Sequence, residues 1–153
     1  MINPRVILRR HPYEEPYHLH LEWQVTNGDF AACIDTYANA DDLIAIGQGL
    51  LNFPSRVPDE FSYEYGSENP QARFYRYFLM RAYTVGNRGH CGLQFVLNLN
   101  QAEPEEGKCT FSIQTEPASL NRLGELFLRF RELGHLELRW GSEEASLNET
   151  HQL

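Results

Sequence analysis

Of 153 residues, one is lysine, two are methionine and three are cysteine. Lys108 stands alone against twelve arginines, a bias that fits a GC-rich genome better than a functional demand. Cys33, Cys91 and Cys109 are an odd number with no CxxC pair, so a disulfide framework is excluded. Each lies in a strand-like stretch, and buried free thiols in a reducing compartment are expected. No apolar run approaches the roughly 18 residues of a membrane span. The first residues, MINPRVILRRHPYEEPY, hold no apolar signal core, so a cytoplasmic protein is expected. There is no serine elbow, no HExxH and no phosphate-binding loop.

Positive charge is also short. Asp and Glu number 21 against 13 Lys and Arg, a net charge of −8. Such a field repels nucleic acid and anionic membranes, so neither is expected as a partner. It suits solubility or a basic protein partner. The charge is uneven: residues 21–72 carry nine acids and only Arg56, while Arg73, Arg76, Arg81 and Arg88 follow with no acid before residue 101. Neighbouring strands of opposite charge account for this, with an anion site on the basic hairpin as the rival.

What is present is ordinary for a folded domain: 42% apolar and 22% charged residues. Residues 2–9 read as a first strand. Leu19, Leu21, Trp23 and Val25 then alternate with polar residues up to Asn27-Gly28, a two-residue hairpin signal. Phe30, Ala32, Ile34 and Thr36 alternate after it. That turn pairs Val25 with Phe30, Trp23 with Ala32 and Leu21 with Ile34 on one face. Asn39 opens a helix whose stripe is Leu43, Ile46, Leu50 and Phe53, closed by Pro54. Phe61, Tyr63 and Tyr65 form a short strand. Residues 73–85 and 90–100 form a hairpin that sets Val85 opposite His90 and Phe78 opposite Leu97. Cys109 to Thr115 is another strand. A second helix carries Leu120, Leu123, Phe127 and Phe130 and stops at Gly134. A last strand runs to Trp140. The expectation is a single α+β domain over 1–140, with two helices on one face of a largely antiparallel sheet of seven or eight strands. Residues 141–153 read as a flexible polar tail.

Chemistry-bearing residues are sparse. His18, His20 and Glu22 share the polar face of the first hairpin. The expected register sets His20 across from Asp35 and Glu22 across from Cys33. Such a group can bind zinc or align a histidine–carboxylate pair for base catalysis. Solvated polar residues on a half-exposed hairpin explain it equally. Nothing in the spacing fixes a tetrahedral site, so no metal and no cofactor is expected at His18, His20, Cys33 and Asp35. Gly47-Gln48-Gly49 lacks the third glycine of a dinucleotide fingerprint. Residues 88–95 lack the stacking aromatics of an RNA-recognition motif. Asp41-Asp42 reads as helix N-terminal charge.

Several short motifs occur in order: Gly28-Asp29-Phe30, then Ala40-Asp41-Asp42-Leu43 with Ile46, Gly89-His90, and Ser119-Leu120 with Leu123. In this layout residues 19–133 resemble the small bacterial proteins grouped with WapI-type immunity proteins. Glu116 stands where that family has an acid before the last helix. The resemblance implies a toxin-neutralising binder and no catalytic residues.

The leading expectation is therefore a non-enzymatic, immunity-like binder of a basic protein such as a toxin, using the loop acids Asp59, Glu60, Glu103, Glu105 and Glu106. The alternative is a small enzyme or metalloprotein at His18, His20, Cys33 and Asp35. A third reading is a homodimer joined through Tyr75, Tyr77 and Tyr83.

Overall fold

A computed structural model describes residues 3–151. Ile2, expected to open the first strand, and the last two residues of the expected tail lie outside them. The chain is α+β, with nine strands in two antiparallel sheets among the described residues. The strands are β1 (Arg5–Glu14), β2 (His18–Thr26), β3 (Ala31–Ala38), β4 (Glu60–Tyr65), β5 (Tyr77–Val85), β6 (His90–Asn98), β7 (Lys108–Thr115), β8 (Glu137–Gly141) and β9 (Ala145–Asn148). The helices are α1 (Ala40–Leu51) and α2 (Pro117–Phe130). Five strands pair in the order β3-β2-β1-β8-β9, and four in the order β4-β5-β6-β7.

The expected single sheet is therefore two. Hairpins join β4 through β7 in sequence, whereas β1 pairs with β8, more than 120 residues further on. Residues 145–148, expected in a flexible tail, form the edge strand β9, with Leu147 opposite Leu138.

The loop of the first hairpin is two residues longer than expected, 27–30 rather than 27–28, which shifts the register by two. Val25 pairs with Ala32, Trp23 with Ile34 and Leu21 with Thr36. Asn27 and Thr26 decide this. The Asn27 side-chain oxygen accepts the N–H groups of Asp29 and Phe30, and Thr26 Oγ1 donates to Phe30 O, so residues 27–30 form one closed loop. Phe30 is left 63% exposed. A slip of two preserves the faces, because side chains alternate with a period of two. Trp23, Leu21 and Val25 still point inward. The β5–β6 register is the expected one, from Val85 opposite His90 to Phe78 opposite Leu97. Residues 73–76 lie outside β5, which starts at Tyr77 after a 3₁₀ turn, Pro70–Ala72, and a left-handed Arg73.

Asn39 caps α1: its side chain accepts the Asp42 N–H while Asp42 Oδ2 accepts the Asn39 N–H. The Leu43, Ile46, Leu50 and Phe53 stripe is buried. So is that of α2, but α2 ends before Gly134, and Leu133 takes the left-handed conformation. Arg10 holds that turn. Its guanidinium donates to Leu133 O at 2.9 Å and His135 O at 2.8 Å and pairs with Glu15.

The helices pack on each other, α1 beside β4 and α2 beside β8 and β9, so the helix pair bridges both sheets rather than covering one. All layers share one core. At its centre Trp23 of β2 stacks on Phe78 of β5, ring centres 4.3 Å apart, and sits 6.1 Å from Phe127 of α2. Trp23 Nε1 donates to Thr36 Oγ1, which satisfies both buried polar groups. Among the described residues, no helix is long and apolar enough to cross a membrane.

Candidate functional site

The polar face of the five-stranded sheet holds the densest set of ionisable groups. Register alone aligns Asp35, Glu22, Arg9, Glu137 and Asn148, one residue from each strand. Glu137 is fully buried. Arg9 Nε at 3.0 Å, Arg139 Nε at 2.9 Å and Asn148 Nδ2 at 3.0 Å all donate to it. Two guanidinium groups offset the cost of burying its carboxylate. Burial pushes the Glu22 carboxyl up, but hydrogen bonds from Gln24 and His11 and the charge of Arg9 outweigh this and hold it below the ordinary range.

The next row is aromatic. Tyr37 lies opposite His20 and His20 opposite His11. The ring centres are 5.0 Å apart for His20 and Tyr37, 5.2 Å for His11 and His20, and 4.9 Å for His11 and His151. His11 Nε2 is 3.2 Å from Glu22 Oε1, and His151 Nε2 is 3.1 Å from Arg10 O.

Beside these rows a cavity of about 300 Å³ is lined by His20, Glu22, Cys33, Asp35, Arg76 and Leu99. His20 Nε2 lies 3.4 Å and Arg76 Nε 3.8 Å from Asp35, and both nitrogens are buried without a hydrogen-bond partner. Arg76 is anchored from behind: Nη1 donates to Tyr75 O and Leu99 O, and the guanidinium stacks on the Tyr75 ring. Although Cys33 is exposed, partial desolvation by its neighbours pushes its thiol up, and the carboxylates of Glu22 and Asp35 add to this.

The structure thus brings His20, Cys33 and Asp35 together. His18 is separate, exposed at the start of β2 opposite Glu14. The longer loop moves Asp35 opposite Glu22 and Cys33 opposite Gln24. His20 still reaches Asp35, now along the diagonal. Sequence reading missed His11, His135, Glu137 and His151, and named Arg76 only among the arginines of the basic hairpin. Only His11 left a signal, as the continuation of the outward series Arg5, Ile7, Arg9 in a strand that runs on to Glu14. Among the described residues, no three His, Cys, Asp or Glu groups already meet around one point suited to a metal ion. Cys33, expected to be buried, is exposed on the edge strand; Cys91 is buried and Cys109 half-buried.

The five loop acids do not form one cluster. Asp59 lies near Thr84, at one end of β5; the β6–β7 loop follows Asn98, opposite Tyr77 at the other end. That span of β5 is roughly 23 Å at the usual rise per residue. Asp59 is engaged: Ser55 N–H and Glu60 N–H donate to it and hold its carboxyl below the ordinary range. Glu60 lies 3.4 Å from Arg81. Glu103, Glu105 and Glu106 are exposed. Beside their loop, a cavity of about 420 Å³ lies between Glu68, Arg73, Phe74, Asn100 and Ala102. Phe74 and Tyr75 are 46% and 48% exposed there.

The three tyrosines read as a dimer face are not one surface. Tyr77 is only 8% exposed and donates to Glu64 at 2.6 Å. Tyr83 lies flat over Gly92, its hydroxyl donating to Ser112 Oγ. The arginine-rich stretch pairs with acids, Arg76 with Asp35 and Arg81 with Glu60. Gly47 and Gly49 lie within α1, where a Cβ would strike Leu128 and the Phe61 ring respectively. They serve packing, not a phosphate loop.

No family model, no curated protein and no solved structure matches this chain.

Proposed function

We propose that the chain is a non-enzymatic, cytoplasmic protein-binding module that captures a basic protein, as the resemblance to WapI-type immunity proteins implies. The observation that carries this reading is the pairing of an acidic loop with exposed aromatics. Glu103, Glu105 and Glu106 stand beside the cavity edged by Phe74, with Tyr75 next to it. Aromatic side chains beside a pocket are the usual anchors of a protein interface, and surrounding charge raises the association rate. Asp59 and Glu60, at the far end of β5, contribute only to the long-range field. Co-expression with the protein encoded by the adjacent gene tests the reading. Rescue from a toxin and a stable complex are expected. Neighbouring genes that encode no toxin, together with no binding to any basic protein, overturn it.

A second reading, a small metalloprotein or enzyme on the polar face of the five-stranded sheet, is favoured by one observation. His20 Nε2, buried and making no hydrogen bond, lies 3.4 Å from Asp35 beside the Cys33 thiol. Turnover abolished by both His20→Ala and Asp35→Asn would support it.

A further inference from the structure

Three non-glycine residues take a positive φ among the described residues, and two of them, Arg73 (φ 55°) and Asn100 (φ 54°), line one cavity. Asparagine tolerates the left-handed conformation, whereas arginine seldom adopts it. Asn100 has a structural task. Its Nδ2 donates to Ser67 O at 3.0 Å and Phe74 O at 3.1 Å, which clasps the two ends of the loop between β4 and β5. The Arg73 side chain is exposed and makes no hydrogen bond or ion pair among the described residues. No contact inside the protein explains why arginine and not glycine stands there. Strained backbone of this kind collects at sites that hold ligands.

The cavity is the one of about 420 Å³ beside the acidic loop, within the range of about 300–1,000 Å³ usual for small-molecule sites. Its walls are held in place. Asn98 Nδ2 donates to Glu68 Oε2, which also pairs with Lys108 Nζ, both at 2.8 Å. Gly66 (φ 79°) lets the base of the loop close on Arg76 O, which a Cβ would meet at 2.2 Å. Phe74 forms one side. Its ring is 46% exposed and T-shaped against Tyr65, ring centres 6.3 Å apart.

The polar groups left over are of both kinds. Arg73, Asn69 Nδ2 and the Gln101 amide N–H groups are donors without an acceptor among the described residues. Glu68 Oε1, Asn100 Oδ1 and the Gln101 carbonyl are acceptors without a donor. This mixture selects the ligand. A hard metal ion takes oxygen acceptors and is repelled by Arg73. A phosphate needs a surplus of positive charge, which Glu68, Glu103, Glu105 and Glu106 cancel. A basic side chain in the cavity meets Arg73 and Lys108. A hydroxyl both donates and accepts, and the C–H groups of a sugar ring suit the electron-rich face of a phenyl ring.

We propose that this cavity binds a neutral carbohydrate, with one sugar ring on Phe74 and its hydroxyls held by Arg73, Glu68, Asn69 and Gln101. The acidic loop borders the cavity, but sugar binding does not rest on the partner-binding reading, since it uses no charge on Glu103, Glu105 or Glu106.

Amide NMR of the full chain tests this, with glucose, galactose, N-acetylglucosamine, maltose, lactose and chitobiose each titrated to about 50 mM. At least one sugar is expected to shift the signals of residues 67–74 and 98–102, with a dissociation constant of about 1 mM or tighter. Phe74→Ala should weaken that binding about tenfold, its own spectrum reporting that it is folded. Arg73→Gly should weaken it about fivefold yet melt no lower than the parent, because glycine adopts the left-handed conformation freely. Reversal of Glu103, Glu105 and Glu106 to lysine should leave sugar binding unchanged. No shift from any of these sugars, shifts away from the cavity, or undiminished binding in either Phe74→Ala or Arg73→Gly overturns the proposal. So does inorganic phosphate or L-arginine that moves the same signals at lower concentration than every sugar. The titrations contain no second protein, so either result leaves capture of a basic partner untouched and the two ideas fail separately.

Discussion

Gly47 and Gly124 bring the backbones of α1 and α2 into direct contact. A Cβ on Gly124 would lie 2.7 Å from Gly47 O and 2.5 Å from Leu51 N. A methyl group cannot enter without moving one helix. Gly124→Ala gains up to about 1 kcal/mol of helix propensity but costs about 1–3 kcal/mol in overpacking. Net destabilisation is expected, read as a lower urea midpoint. A midpoint equal to or above that of the parent would show that the helices can part freely. Gly47→Ala should cost less, because its nearest neighbour is the Leu128 side chain and the nearest backbone atom, Gly124 O, is 3.0 Å away.

Asn121 closes α1 from the other helix. Its amide donates to Leu50 O, Leu51 O and Phe53 O at 2.9, 3.0 and 2.7 Å. Leu50 O also accepts the Phe53 N–H at 3.3 Å, whereas Leu51 O is a helix-end carbonyl to which α1 offers no donor. Asn121→Ala is expected to cost about 1–3 kcal/mol. Asn121→Asp should cost more, since a carboxylate would face three carbonyl oxygens. Thermal melts of the two variants give the order, and equal melting temperatures would refute it.

Cys33 should be the thiol that reports on the folded state. In native protein a thiol reagent is expected to count one group, reacting slowly at neutral pH and faster as pH rises, because partial desolvation and two carboxylates raise its pKa. After denaturation it should count three. Three reactive thiols in the native protein would contradict the burial of Cys91.

Glu22 carries a pH dependence. Its folded pKa is depressed, so its contribution is fully present above the unfolded value and is lost as pH falls through the folded value. Glu22→Gln removes that contribution. The stability gap between parent and variant should therefore be widest near neutrality and close toward strong acid. Denaturant midpoints across the acid range measure it, and a gap that grows as pH falls has the wrong sign.

Reversal of Glu103, Glu105 and Glu106 to lysine should slow association with a basic partner and flatten its salt dependence. These side chains are exposed, so the melting temperature should shift little. Reversal at Glu60 should affect association less and stability more, because Arg81 loses its ion pair and faces a like charge. Association indifferent to both salt and charge would remove this loop from the interface.

Both helices, their inward stripes, the Asn39 cap and the β5–β6 register could be read from the residues, because each is decided by neighbours in sequence. Even where the first turn slipped, period-two alternation kept Trp23 inward and His20 outward. His20 and Asp35 stayed on one face for the same reason, although Tyr37 and not Asp35 lies directly across from His20. The division into two sheets was different. It depends on β1 choosing β8 across more than 120 residues, a choice made by shared burial in one core and by the contacts of Arg10. No periodicity records that choice. The buried Glu137 follows from it, and the placing of Arg76 against Asp35 follows from the packing of one sheet beside the other. Local sequence determined which face each side chain occupies; only tertiary pairing decided which faces would meet.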